Sequence, residues 1–109
     1  MDRMTYVIDI DDTICRTNGS DYENSQPLND RIAAINKLYE EGHTILFLTA
    51  RGMCRNNNDQ LGAIAELYNF THDQLVAWGV KFHKLFLGKP AGDVYIDDKA
   101  CKDTDFFDV

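Results

Sequence analysis

Tyr6-Val7-Ile8-Asp9-Ile10-Asp11-Asp12-Thr13 sets a short apolar run directly against three carboxylates. Tyr6 to Ile10 is rich in β-branched and aromatic residues and reads as a buried strand. A buried carboxylate costs free energy unless something compensates it. Two unit charges about 4 Å apart repel by ~1 kcal/mol in water and by ~4 kcal/mol at an effective dielectric near 20. Asp9 and Asp11 at one strand end therefore call for a cation, a bound proton or a lysine. Their i, i+2 spacing aims both side chains the same way if the extended backbone continues. A metal and a phosphate can be met at such a point.

The 109 residues suffice for one small domain, residues 1–109. A net charge of −7 argues against nucleic acid and against anionic membrane surfaces as partners. The three cysteines, Cys15, Cys54 and Cys101, fit no C-x-x-C pattern and read as free thiols. With no signal peptide and no apolar run of membrane-spanning length, a cytoplasmic location is expected.

Outward from the acidic strand, Ile14 to Gln26 holds the turn signal Thr17-Asn18-Gly19-Ser20-Asp21 and reads as a surface flap at about 15–27. Asn29 caps a first helix whose apolar face is Ile32, Ala33, Ile35, Leu38 and Tyr39, and Gly42 ends it. Thr44 to Leu48 is a second apolar strand, so strand, helix and strand form a βαβ unit with parallel strands. Thr49-Ala50-Arg51-Gly52 follows at its carboxyl end, where ligands of open parallel sheets bind. A second helix starts at 56–59, and Thr71-His72-Asp73-Gln74 caps a separate short helix through Trp78. Lys84 to Leu87 reads as a third strand and Asp93 to Asp98 as a fourth, ending in a second acid pair. The tail from Lys99 is polar and acidic except for Phe106 and Phe107, which are expected to dock on the body.

Parallel strands put all their carboxyl ends on one sheet edge. That edge would gather Asp9, Asp11, Thr49, Asp97 and Asp98, with Lys89 nearby. Hard oxygen donors of this kind suit Mg2+, which also binds substrate phosphate.

Four ordered segments, Asp-Ile-Asp-Asp-Thr, Leu-Thr-Ala-Arg, Gly-Lys-Pro and Tyr-Ile-Asp-Asp, resemble the motifs of the haloacid dehalogenase (HAD) superfamily of phosphatases. The resemblance runs from Tyr6 to Asp98. The stretch from Gly88 to Ala100 is also similar to small phosphatases found among capsule and lipopolysaccharide biosynthesis proteins. The resemblance implies an α/β fold, a Rossmann-like three-layer sandwich with strand order 4-1-2-3. It implies a Mg2+-dependent phosphomonoester hydrolase acting on a small phosphorylated metabolite such as a sugar phosphate. Asp9 would be the nucleophile and form an aspartyl-phosphate, and Asp11 the general acid and base. Thr49 would hydrogen-bond a phosphoryl oxygen, and Lys89 would offset its charge. Mg2+ would be held by the Asp9 carboxylate, the Asp11 carbonyl and Asp97, with Asp98 binding directly or through water.

Larger members carry a cap domain, whereas here the two insertion points hold only the flap and core helices. Substrate contacts then fall to Thr49, Ala50 and Arg51. Arg51 suits a phosphate or carboxylate clamp, or a plain exposed arginine. Lys84 and Lys81 compete with Lys89 for the lysine role, Asp12 suits a turn cap, and His43, His72 and His83 are not at metal-ligand spacing. Nothing after Asp98 reads as a fifth strand, which leaves an edge for the tail or a second copy to cover, so a homo-oligomer is compatible with the sequence. The rival from another class is a receiver-like or catalytically silent phosphate-binding module. In receivers the lysine comes last, whereas here an acid pair follows it.

Overall fold

The most apolar strand lies at the centre. In the computed structural model, which describes residues 2–107, β1 (Thr5–Ile8), β4 (Thr44–Thr49) and β5 (Lys84–Leu87) form a parallel sheet in the order β1-β4-β5. Between β1 and β4 come the two-residue strands β2 (Cys15–Arg16) and β3 (Gln26–Pro27), paired antiparallel around one 3-10 turn at Tyr22–Asn24, and then helix α1 (Asn29–Glu40). Helix α2 (Gln60–Ala77) links β4 to β5, and the short helix α3 (Asp103–Phe107) closes the described chain. No helix among the described residues is long and apolar enough to cross a membrane.

Register sets which side chains share a sheet face. Ile8 pairs with Phe47, Phe47 with Leu85, and Thr49 with Leu87. All are buried, and Ile8, Phe47, Leu85 and Leu87 share one core cluster with Ile32 and Ile35 of α1 and Leu67 and Leu75 of α2. Both long helices thus pack on the same sheet face. Right-handed crossovers that step twice in one direction require that. The opposite face carries Val7, Leu46, Leu48 and Phe86, with Val7 and Phe86 exposed.

α1 follows its apolar spacing. Asn29 is its first residue rather than its cap, since Leu28 holds the cap position without a side-chain bond. Gly42, at φ +96°, takes the left-handed turn that ends the segment. Two histidines join strands: the Met4 N–H donates to His43 Nδ1 (3.0 Å) and the Ile45 N–H to His83 Nδ1 (3.0 Å). The tail docks as expected. Arg31 Nη1 pairs with Asp103 Oδ2 at 2.7 Å, and the Phe106 ring lies 5.7 Å from that of Tyr6.

Two further expectations fail. The break expected at Thr71-His72-Asp73 is absent, and α2 runs unbroken from Gln60 to Ala77. Thr71 is fully buried on the helix's inner face with Leu67 and Leu75, so packing overrides its capping preference. The fourth strand is absent too: residues 93–98 form no strand, and the sheet order is 1-2-3 of the expected 4-1-2-3. A parallel crossover takes about a dozen residues to return from the carboxyl to the amino edge of a sheet. Between Leu87 and Asp93 there are only residues 88–92.

Candidate active site

β1 stops at Ile8 and the chain turns a corner. The N–H groups of Thr13 and Ile14 both donate to the Ile10 carbonyl, at 3.0 and 2.9 Å. Asp12 takes the left-handed backbone at φ +60°, which aspartate tolerates better than most residues. Ile10 is fully buried and anchors the corner, while Asp9 and Asp11 on either side of it line one cleft of about 370 Å3. Gly19, Ser20 and Tyr22 of the flap, Ala50, Arg51 and Gly52 after β4, and Ala91 complete the lining, with Cys54 and Arg55.

Lys89 comes to this point from the end of β5. Its N–H donates to the Thr49 carbonyl (3.2 Å), and its Nζ stands 3.7 Å from Asp9 Oδ2 and 4.2 Å above the Tyr95 ring. Lys84 is exposed on β5, and Lys81 pairs with Glu40, so Lys89 is the lysine beside the acids. Burial raises the Asp9 pKa above the ordinary carboxylate value. The Asp11 charge adds to that, while Lys89 and the Ile10 N–H oppose it.

Arg51 is 1 % exposed and does not face the cleft as a free cation. Its Nε donates to Asp11 Oδ2 and its Nη2 to Asp11 Oδ1, both at 2.9 Å. This is a two-pronged pair of fixed geometry. Nη1 donates to Gln74 Oε1 at 2.7 Å, and the guanidinium lies 4.7 Å from the Tyr22 ring centre. Each guanidinium nitrogen of Arg51 thus already donates to the protein's own groups, so as folded it is not a free clamp for a substrate. Thr49 is also enclosed, its hydroxyl accepting from the Arg51 N–H at 3.2 Å, so Ala50 rather than Thr49 forms the wall.

The flap closes on the same network. Thr17 Oγ1 donates to Asp11 Oδ1 at 2.6 Å and meets Ser25 Oγ at 2.7 Å. Gln74 Nε2 donates to the Tyr22 carbonyl at 2.7 Å, tying the flap to α2. Sequence reasoning missed Thr17, Ser25 and Gln74, which carry no motif. Tyr22, which carries no motif either, covers the guanidinium. Cys15 is fully buried, and that burial raises its thiol pKa, which suits packing rather than nucleophilic attack.

Asp97 and Asp98 do not join Asp9 and Asp11. Both are exposed and outside the cleft lining. Asp97 Oδ1 accepts from the Lys99 N–H at 2.9 Å, a local turn, and that bond lowers its pKa. Among the described residues no group of three or more His, Cys, Asp or Glu is placed to hold a metal. The expected four-acid ligand set is therefore not assembled within the chain, because its second half sits on a segment that forms no strand. A larger hollow of about 460 Å3 lies between α1, the flap and Phe107. Its Arg31 is taken by Asp103 and the Thr13 carbonyl, and it holds no carboxylate pair with a lysine.

Fold and site together define a small α/β protein with a lysine-flanked carboxylate pair at the carboxyl end of a parallel sheet. A scan of protein-family models finds no match, and a search of curated proteins finds none. Among solved structures, the chain is similar to a crystal structure of a Vibrio cholerae protein determined as an MCSG target. The two are 28% identical with a TM-score of 0.86, over 96% of this chain and 88% of that one.

Proposed function

We propose that the chain is a phosphomonoester hydrolase of the HAD type, working through an aspartyl-phosphate on Asp9. The observation that carries this reading is the half-buried Asp9 with Lys89 Nζ 3.7 Å away and Asp11 two residues on, all at one cleft. Ionised Asp9 attacks phosphorus, and the phosphorus–oxygen bond to the leaving group breaks as the new one forms. Asp11 is the acid and base of this reading: its carboxylate must first leave the Arg51 fork and take up a proton, which it gives to the leaving oxygen and regains from the water that attacks the aspartyl-phosphate. Inorganic phosphate leaves and both acids return to their starting forms. Lys89 offsets the charge on Asp9 and on the phosphoryl oxygens.

Mg2+ belongs to this reading as the cofactor that neutralises phosphoryl charge. Asp9 and the Asp11 carbonyl offer it hard oxygens. The remaining ligands, Asp97 and Asp98, are not supplied by the single chain as folded, so the donor set does not fit within one copy. The cleft of about 370 Å3 supports a small phosphorylated metabolite, a sugar phosphate being the leading class. The net charge of −7 disfavours nucleic acid. Cys54 and Cys101, free and exposed, support a reducing compartment such as the cytoplasm. The reading takes the fold as a Rossmann-like three-layer sandwich in which something other than α1 and α2 covers the second sheet face.

One observation favours a second reading. Arg51 and Thr17 hold the Asp11 carboxylate in place, which suits a phosphate-binding module without turnover as well as an enzyme. The test is phosphate release from a panel of sugar phosphates, nucleotides and phosphorylated acids, with Mg2+, with EDTA and with Asp9→Asn. Metal-dependent turnover lost in Asp9→Asn supports the hydrolase. Tight phosphate binding with no release from any substrate supports the module.

A further inference from the structure

The run Asp93-Val94-Tyr95-Ile96-Asp97-Asp98 is apolar in the middle, yet Val94, Tyr95 and Ile96 are 75 %, 50 % and 95 % exposed. Its flanks are fixed to their own body. The Ala91 N–H donates to Asn58 Oδ1 at 3.0 Å on one side, and Asp103 pairs with Arg31 at 2.7 Å on the other. Within the arm, Tyr95 Oη donates to the Pro90 carbonyl at 2.7 Å and accepts from the Gly92 N–H at 3.0 Å, and its ring lies 4.2 Å from Lys89 Nζ, contacts that the exchange must release. At the far side of the sheet, β1 pairs only with β4, and its outer edge is unpaired among the described residues. Such an edge is a ready template for another strand.

The chain's own arm cannot fill that edge as a strand and also bring its acids to the site. A parallel approach needs about a dozen residues of crossover, and only residues 88–92 are available. An antiparallel approach puts Asp97 and Asp98 at the amino end of β1, away from Asp9. An arm arriving from another molecule has neither restriction. It also matches the edge in kind, since arm and β1 are both apolar runs of β-branched and aromatic residues ending in an acid pair.

We infer that residues 93–98 are an exchanged arm: the arm of one copy adds to the free β1 edge of a second copy and carries Asp97 and Asp98 to that copy's Asp9 and Asp11. The exchange is reciprocal, so the assembly closes as a two-fold dimer with two composite sites. The role given to the acids rests on the phosphatase reading above, while the dimer itself does not.

The test has two parts. Sedimentation equilibrium compares the full chain with Ile96→Asp, a change at a side chain in water that leaves the monomer's core untouched. The full chain sediments as a dimer and Ile96→Asp as a monomer. In the second part, Asp9→Asn and the double variant Asp97→Asn/Asp98→Asn are mixed, unfolded together and refolded. Each is inactive alone. The mixture recovers about a quarter of wild-type turnover, because random pairing makes half the dimers mixed and each mixed dimer has one intact site. A monomeric wild type, an Ile96→Asp variant that stays dimeric, or a mixture that forms mixed dimers without recovering activity overturns the arm. A dimer that Ile96→Asp dissolves but whose wild type turns over no substrate upholds the arm and removes the phosphatase reading.

Discussion

Arg51→Met is the most informative single change away from the reacting atoms. Arg51 is 1 % exposed and donates twice to Asp11, once to Gln74 at 2.7 Å and weakly to Thr71 at 3.4 Å. Methionine fills the space of the aliphatic stem and leaves the Asp11 carboxylate without its fork. Breaking a buried pair by removing one partner costs ~3–5 kcal/mol. The Asp11 side chain is 23% exposed and keeps Thr17, so the low end applies, about 3 kcal/mol. Unfolding entropy is about 2.1 cal/mol/K per residue, or about 0.23 kcal/mol/K for 109 residues. Tm should then fall by about 13 °C, measured by circular dichroism at neutral pH. Asp11→Asn alone should also lower Tm. The double variant should lose less than the sum of the two, because the shared interaction can be lost only once. A fall of less than about 4 °C for Arg51→Met, or strict additivity, would refute the reasoning that the fork on Asp11 organises this part of the molecule.

Three further outcomes are expected. Burial raises the Asp9 pKa above 3.8, so the folded state holds this proton more tightly than the unfolded chain. Wild-type stability should decline as pH rises from 3.8 through the raised value and then level off. Denaturant titrations of Asp9→Asn should show its advantage over wild type growing across that window, and the acid limb of kcat/KM should lie above 3.8. Lys89→Met should lower kcat by about 10²–10³-fold through loss of charge stabilisation, while Lys84→Met stays near wild type in the same phosphate-release assay. Thr17→Val removes the hydroxyl between Asp11 and Ser25 and should cost about 1–2 kcal/mol, with faster amide exchange confined to 15–27.

The acidic pair and Lys89 were legible because each follows the carboxyl end of a strand, and parallel pairing brings strand ends together whatever lies between them. The same logic located β4 and β5 to within a residue and gave α1 from its apolar spacing. Arg51 was placed correctly and its partners were not. Asp11 lies 40 residues away and Gln74 23, and no periodicity links a loop arginine to a glutamine inside a helix. The break expected at Thr71 failed because a buried threonine packed on a continuous apolar face costs the helix little. The fourth strand failed for a reason already present in the sequence. Apolar content argued for a strand at 93–98, but connection length, residues 88–92, excludes a parallel one within the chain.

The central claim is that Asp9 becomes phosphorylated during turnover. Wild-type protein should be mixed with a substrate that it hydrolyses, quenched in acid within the first turnover, digested and weighed by mass spectrometry. One phosphoryl group should appear on the peptide that holds Asp9, should be absent from Asp9→Asn, and should disappear as free phosphate accumulates over many turnovers. Sustained phosphate release with no adduct on that peptide, or undiminished release by Asp9→Asn, would contradict the account.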